Sequence, residues 1–253
     1  MRTIILTLCA LLFITSTAFA HFGMVIPDSN VATQKTRSTN LALSFSHPFE
    51  GAGMTLVKPE QFFVITDGKK TDLLSTLSET KVMGEAAWKT NFRFKRPGVY
   101  QFVMVPTPYW EPEENCFIIH YTKTYVAAFG SEEEWDAPAG LPTEIIPLTR
   151  PYGLYAGSSF TGQVLKDGKP VAGAEVEYEL YNKEGLKAPT EHHVTMVTKT
   201  DSNGVFTVTC PKAGWWGFAA LTTADYKLPA PDGKEKDVEL GAVTWIHVDD
   251  FQK

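Results

Sequence analysis

The chain has 253 residues, of which 23 are basic and 29 acidic, so its formal net charge is −6 at pH 7. This acidic balance argues against a nucleic-acid partner, because phosphate binding requires a basic surface. The three cysteines are too few for a framework of disulfide staples. The length allows one or two domains.

The first twenty residues have the pattern of a secretory signal peptide. Arg2 supplies the positive charge, residues 4–14 form an apolar core, and Ala18-Phe19-Ala20 is a small-x-small cleavage site. The apolar core is shorter than the roughly 20 residues that span a bilayer, and no later segment reaches that length. We therefore expect a periplasmic protein whose mature chain begins at His21 and which is not inserted in the membrane after cleavage.

The rest of the sequence predicts an all-β fold. Short alternating or β-branched runs recur at residues 40–46, 61–66, 98–105, 116–125, 159–165, 175–181, 194–200, 205–209 and 243–248. Turn signals separate them and favour hairpins, namely Asp67-Gly68, Arg96-Pro97-Gly98, Asp167-Gly168 and Asn203-Gly204. Helical periodicity is weak and limited to residues 72–80 and 131–135.

Two β-sandwich domains are predicted, over residues 21–147 and 148–253. The boundary is placed between Pro142 and Pro151, where three prolines interrupt the apolar pattern. The motifs of the second half resemble the transthyretin-like or carboxypeptidase-regulatory-like sandwich, an Ig-like architecture. The resemblance rests on Phe160-Thr161-Gly162-Gln163-Val164, Asp167-Gly168-Lys169-Pro170-Val171, Gly173-Ala174-Glu175-Val176, Asp201-Ser202-Asn203-Gly204 and Ala213-Gly214-Trp215-Trp216.

A histidine at the start of a mature chain has a particular metal chemistry. The α-amine and the ring Nδ1 of His21 can close a six-membered chelate ring on one ion. The pKa values of an α-amine and an imidazole lie near neutrality, so protons compete weakly with a divalent metal at pH 7. Nitrogen ligands favour Ni(II), Co(II), Cu(II) or Zn(II) over magnesium or calcium. A first-position histidine could also be an accident of cleavage.

Two further histidines are candidate metal ligands. His47 follows an alternating strand and precedes Pro48, which keeps the backbone extended and could direct the imidazole out of the strand end. His120 belongs to an alternating run in which Glu114, Cys116 and His120 share one face. A turn histidine without a ligand and a hydrogen-bonded core histidine are the alternatives for these two positions.

The remaining polar features are less specific. The proline-rich loop 106–114, which is aromatic and acidic, could line a metal site, bind a sugar or a partner, or simply cover one end of a sandwich. His192 and His193 are adjacent and would face opposite ways in a strand, and His247 is expected to be structural. An oxidising compartment permits a disulfide between Cys116 and Cys210, but their spacing does not decide it.

Several motifs together resemble the DUF4198 family. They are His21-Phe22-Gly23-Met24-Val25-Ile26-Pro27, Ser46-His47-Pro48-Phe49-Glu50-Gly51, Pro108-Tyr109-Trp110-Glu111-Pro112, Ile119-His120-Tyr121-Thr122-Lys123, Pro147-Leu148-Thr149-Arg150-Pro151 and Ala213-Gly214-Trp215-Trp216-Gly217-Phe218. That family includes the NikK-like periplasmic component of nickel and cobalt energy-coupling-factor transporters. The resemblance implies a protein that is not an enzyme and that binds Ni(II), or Co(II), through His21, His47 and His120 for delivery to a membrane-embedded uptake transporter.

Two other functions fit the same residues. A terminal histidine with a second histidine also forms the histidine brace of copper enzymes that oxidise polysaccharides, and Tyr109 and Trp110 could then bind the glycan. A metal-free β-sandwich that binds a carbohydrate or another protein is the third possibility. No nucleophile elbow, phosphate-binding glycine loop or paired-cysteine zinc motif is present in the sequence, so hydrolysis has no positive support.

Overall fold

The structure of the protein is a computed structural model in which residues 21–252 are described. The signal peptide predicted over residues 1–20, and cleavage after Ala20, lie outside the described residues. No helix within residues 21–252 is both long enough and apolar enough to cross a membrane. The two helices in this range are single 3-10 turns, Leu74–Thr76 and Glu191–His193.

The first half of the described chain contains eleven strands. They are β1 (Phe22–Pro27), β2 (Val31–Ala32), β3 (Ser38–His47), β4 (Ala52–Met54), β5 (Gln61–Thr66), β6 (Lys69–Asp72), β7 (Ser78–Val82), β8 (Glu85–Arg93), β9 (Gly98–Val105), β10 (Tyr109–Glu111) and β11 (Cys116–Ala128).

Eleven more strands follow in the second half. They are β12 (Thr143–Pro147), β13 (Leu154–Tyr155), β14 (Ser159–Lys166), β15 (Lys169–Pro170), β16 (Glu175–Leu180), β17 (Met196–Lys199), β18 (Val205–Thr209), β19 (Gly214–Thr223), β20 (Leu228–Pro229), β21 (Glu235–Lys236) and β22 (Val238–Asp249). The all-β prediction is confirmed. The weak helical periodicity at residues 72–80 was misleading, since that segment forms one 3-10 turn and the start of β7.

One large sheet forms the centre of the molecule. Its 11 strands include the path β17-β16-β19-β22-β11-β9-β5-β6. Strand β22 runs parallel to β11, with Phe117 opposite Val238 and Thr124 opposite Trp245. Strands from both sides of the boundary predicted after Pro147 are therefore joined by backbone hydrogen bonds. The placement of that boundary stays a prediction.

Two smaller sheets cover opposite faces of this central sheet. Successive side chains of a strand point to opposite sides of the sheet, so the strand register shows which residues lie on each face of the central sheet. The sheet β1-β3-β8-β7 packs on the face that carries Ile118 and Val243, and the sheet of β12, β14, β15 and β18 packs on the face that carries Ala242 and Ile246. The molecule is thus two β-sandwiches that share their middle layer.

Strand β1 is the element that matters most for the site. All six of its residues are buried, and it pairs antiparallel with β3 over Phe22–Pro27. Phe22 packs on the central sheet, where its ring and the Trp245 ring meet edge to face at a centroid distance of 5.9 Å. The indole N–H of Trp245 donates to the carbonyl oxygen of Gly23 at 2.8 Å. His21, directly before β1, is therefore anchored by the strand that follows it.

Candidate metal centre

The register of β1 with β3 brings two of the predicted ligands together. Phe22 pairs with Ser46, so the next position outward sets His21 beside His47. The two imidazole rings are tilted by 51° and their centroids are 4.8 Å apart. His21 is 9% exposed, and His47 is half-buried at the end of β3. Neither sequence position alone predicts this neighbour, because it depends on strand pairing.

The ring of Phe45 connects His21 with the third predicted ligand. It stacks on His21 at 5.7 Å between centroids, and it meets the ring of His120 edge to face at 5.6 Å. His120 lies on β11, on the face covered by β1 and β3, and is 2% exposed. The structure therefore places all three predicted histidines in one cluster around a phenylalanine that the sequence did not single out.

A short hairpin supplies the acidic wall of this cluster. Strand β10 pairs with β11, with Glu111 opposite Cys116. Glu111 is 7% exposed. Its Oε1 accepts the backbone N–H of Glu113 at 3.0 Å, and its Oε2 lies 3.0 Å from His21 Nε2. The loop 106–114, for which several roles were open, thus contributes a carboxylate that is already oriented toward His21.

The hydrogen bond to Glu111 fixes which nitrogen of His21 carries the proton. A carboxylate accepts, so Nε2 is the protonated nitrogen and Nδ1 keeps its lone pair. Nδ1 lies 3.9 Å from Oε1 of Glu114. Burial and the neighbouring His47 and His120 lower the pKa of His21 to about 4, while Glu111 acts in the opposite direction. The ring is therefore neutral at pH 7.

The two nitrogens of His120 have different surroundings. Nδ1 accepts the backbone N–H of Gly23 at 3.4 Å. Nε2 is buried without a hydrogen-bond partner and faces Glu239 Oε1 at 3.5 Å. The ring lies directly against Gly241, where a Cβ atom would come within 2.3 Å of His120 Cδ2.

Carboxylates continue from the cluster along the same face of the central sheet. Glu239 lies on β22, and Glu177 lies two strands away on β16. Burial, together with the neighbouring charges of Glu239, Glu179, Glu175 and Glu114, raises the pKa of Glu177 to about 8. Burial and the same kind of repulsion also raise the pKa of Glu114. The sequence signal for this row is the Glu-x-Glu-x-Glu alternation at residues 175–179, which places three carboxylates on one face of a strand.

Side chains alone do not form a complete metal site in this structure. Within residues 21–252, no three His, Cys, Asp or Glu side chains stand at ligand spacing around one point. The metal site expected here takes two donors from His21, its main-chain nitrogen and its ring. Such a site needs fewer than three ligand side chains.

The other polar residues singled out in the sequence lie elsewhere. His192 and His193 are exposed in the second 3-10 turn. His247 is on β22, where its Nδ1 lies 3.2 Å from Asp249 Oδ1 and its ring contacts Trp215. Both Cys116 and Cys210 are free thiols, and burial raises the pKa of each to about 12.

Comparison with known proteins gives a family. The model of a domain of unknown function, DUF4198, matches residues 18–224. The chain belongs to the DUF4198 family. A search of curated proteins found no match for this DUF4198 protein.

Solved structures show only remote likeness to the DUF4198 protein. The titin I-band fragment I67–I69 is 10% identical, with 90% of this chain and 65% of that chain covered at a TM-score of 0.21. The adhesin InvE of Yersinia pseudotuberculosis is 11% identical, with 90% and 59% covered at 0.22. The chain spans less than two thirds of either structure, and scores this low carry no argument about function.

Proposed function

We propose that the mature protein is a periplasmic metal carrier that begins at His21 and binds Ni(II), or Co(II), for delivery to a membrane-embedded uptake transporter. The ion is held by the α-amine and Nδ1 of His21 and by the imidazole of His47. The metal is cargo in this proposal, and the protein is not an enzyme.

One observation carries the proposal. The carboxylate of Glu111 accepts a hydrogen bond from Nε2–H of His21. The free lone pair of the ring is therefore on Nδ1, which can form a chelate ring with the amine of the same residue. A carboxylate on the far nitrogen is the usual way in which proteins orient a metal-binding imidazole and raise its basicity. The tilted His47 ring beside it, 4.8 Å between centroids, supports a second imidazole ligand.

The surroundings favour a cation. Glu111 and Glu114 lie against His21 at 3.0 and 3.9 Å, and Glu239 adds a further carboxylate on the same face. Carboxylates this close repel one another, and a bound divalent ion would relieve that repulsion. The nitrogen donors select transition ions over magnesium or calcium.

The test is a titration of two proteins that differ by one residue. Ni(II) is titrated calorimetrically into the chain that starts at His21, and into the same chain preceded by one alanine. The extension leaves every side chain in place but converts the amine into an amide. We expect stoichiometric binding by the first protein and a loss of about 100-fold or more in the second, since two of its nitrogens no longer share one ion. Equal binding by the two proteins contradicts the proposal.

A separate activity assay distinguishes the copper enzyme from the carrier. Copper binds most nitrogen sites more tightly than nickel does, so Cu(II) affinity alone does not discriminate. Cleavage of chitin or cellulose that requires both copper and a reductant identifies the enzyme. Mass spectrometry of the exported protein checks the start at His21 independently.

A further inference from the structure

Each proposed ligand is followed, two residues later, by a backbone N–H that donates to a buried side chain of the central sheet. After His21, the N–H of Gly23 donates to His120 Nδ1 at 3.4 Å. After His47, the N–H of Phe49 donates to Glu179 Oε2 at 3.1 Å. His120 and Glu179 lie on the same face of the central sheet, on β11 and β16.

The nitrogens of His120 leave no lone pair for a metal. A neutral imidazole has one protonated nitrogen and one acceptor. Because Nδ1 accepts from Gly23, the proton is on Nε2, which faces the Glu239 carboxylate at 3.5 Å. Coordination through either nitrogen would require the Gly23 bond to break or the ring to lose its only proton.

Close packing holds the His120 ring in this position. A Cβ atom at Gly241 would lie 2.3 Å from its Cδ2, and a Cβ atom at Gly23 would lie 3.1 Å from its Cβ and 2.3 Å from Thr122 Oγ1. The imidazole is therefore enclosed between the backbones of β1 and β22, and both strands need glycine at the contact. The ring therefore packs directly against β1, the strand that follows His21.

Glu179 does the same for the turn that follows His47. Glu179 is 1% exposed, and besides the Phe49 N–H it accepts the hydroxyl of Thr195 through Oε1. Asn182 holds the other side of the turn, because its backbone N–H donates to the Pro48 carbonyl oxygen at 3.1 Å and its Nδ2 to that of Phe49 at 2.9 Å. The second half of the chain thus fixes a turn that belongs to the first half.

We infer that His120 and Glu179 are positioning residues of the metal centre, which set the strands carrying His21 and His47 by accepting the Gly23 and Phe49 N–H groups, and that His120 is not a ligand. The inference rests on the proposed function. In this inference His120 is a structural acceptor and not a third imidazole ligand, so the protein supplies two imidazoles and one amine to the ion.

Four variants of the chain that starts at His21 test this inference. His120→Leu and Glu179→Leu remove the acceptors, whereas His120→Gln and Glu179→Gln keep a carbonyl oxygen that can accept the same N–H. Thr195→Val is the matched control, because it removes the other bond of Glu179 and leaves the Phe49 bond intact. Ni(II) affinity is measured by calorimetry, and the imidazoles on bound Cu(II) are counted by pulsed EPR.

We expect each leucine variant to bind Ni(II) about 10- to 100-fold more weakly, the loss typical of removing a group that orients a ligand. The glutamine variants and Thr195→Val should stay close to the unmodified protein. The number of imidazoles on Cu(II) should be two in the unmodified protein and in His120→Gln.

Three imidazoles in the unmodified protein and two in His120→Gln would overturn the inference for His120 while leaving the proposed function intact. Unchanged affinity in Glu179→Leu would overturn it for Glu179. Failure of the proposed function is a separate result, equal binding by the alanine-extended chain. If Glu179→Leu does not fold, Asn182→Ala replaces it with the same expected loss, and the EPR count in His120→Gln does not depend on the leucine variants.

Discussion

Oε2 of Glu111 lies 3.0 Å from Nε2 of His21, while Oε1 of the same carboxylate accepts the Glu113 N–H. The second bond prevents the carboxylate from rotating, so the first sets the tautomer of His21. Replacing Glu111 with alanine should weaken Ni(II) binding about 10- to 100-fold. Calorimetry measures the loss, and Glu113→Ala, at a neighbouring exposed carboxylate, is the control. Equal affinities in the two variants would exclude a role of Glu111 in orienting the ring.

The affinity for Ni(II) should depend on pH through the α-amine and not through the His21 ring. The pKa of that ring, lowered to about 4 by burial, leaves it neutral across the neutral range. The amine, with a pKa of about 7.7 to 8.0, must lose its proton to bind metal. Affinity should therefore rise close to tenfold per unit between about pH 6.5 and 7.5. Titrations in buffers of different ionisation enthalpy count the released protons, and a flat profile would contradict amine ligation.

Glu177 should destabilise the metal-free protein at alkaline pH. Burial and neighbouring carboxylates raise its pKa from 4.5 to about 8, so the folded protein keeps a proton that the unfolded chain has already lost. The contribution of Glu177 to the free energy of unfolding is therefore greatest below pH 4.5 and is lost as the pH rises to 8. Glu177→Gln should thus raise the free energy of unfolding by on the order of 1–3 kcal/mol at pH 8, and leave it unchanged near pH 4.5.

Urea denaturation at the two pH values measures that difference. Glu79→Gln on β7 removes an exposed carboxylate and should change stability by less than about 0.5 kcal/mol at either pH. An equal gain for Glu177→Gln at both pH values would mean that the effect does not come from ionisation.

Lys123 and Glu144 form a buried ion pair on the other face of the central sheet. Lys123 Nζ lies 2.5 Å from Glu144 Oε2, and the two side chains are 0% and 4% exposed. Glu144 also accepts the N–H groups of Ala139 and Gly140. Lys123→Met leaves a buried carboxylate unpaired and should cost about 3–5 kcal/mol of stability. Adding Glu144→Gln should recover part of the loss, and chemical denaturation measures both.

The Ni(II) affinity of folded Lys123→Met should match that of the unmodified protein. Lys123 and His120 point to opposite faces of β11, because an odd number of positions separates them. A loss of affinity as large as that of Glu111→Ala would show that the two faces of the sheet are coupled.

The sequence predicted strand limits correctly where an alternating apolar pattern ended at a recognisable turn motif. The segments Gln61–Thr66, Gly98–Val105 and Val205–Thr209 are strands with the predicted limits. Asp67-Gly68 and Asp167-Gly168 form two-residue hairpins, in which Thr66 pairs with Lys69 and Lys166 with Lys169. Positive φ at both turn residues explains why these sequences are so specific.

Burial on both faces hid other strands from the sequence. Strand β1 is missing from the predicted runs, because Gly23 and Pro27 interrupt its pattern, although all its residues are buried. Strand β12 was assigned to the prolines of the boundary, yet Thr143–Pro147 pairs with β14. A continuous apolar run has no alternation to detect. Pairing between distant strands then decides which polar groups meet.

The candidate site shows the same division. The shared face of Cys116 and His120 could be predicted from a short stretch, whereas the terminal chemistry of His21 stays a prediction. The meeting of His21 with His47, and of His21 with Glu111, could not, because each pair joins strands whose register is fixed only in the folded sheet. Glu179 illustrates the point, since a glutamate in an alternating strand gives no sign that it accepts a bond from the turn after His47.

The bond from Trp245 to Gly23 joins positions 222 residues apart in the sequence. Strand β22 is inserted between β19 and β11, so neither the middle layer nor the seat of β1 can be completed until the ribosome has made that late segment. Contacts of such long range form slowly. A chain that still lacks this last strand consequently lacks the anchor of Gly23, and the strand that follows His21 cannot take its final position until residue 245 has been added.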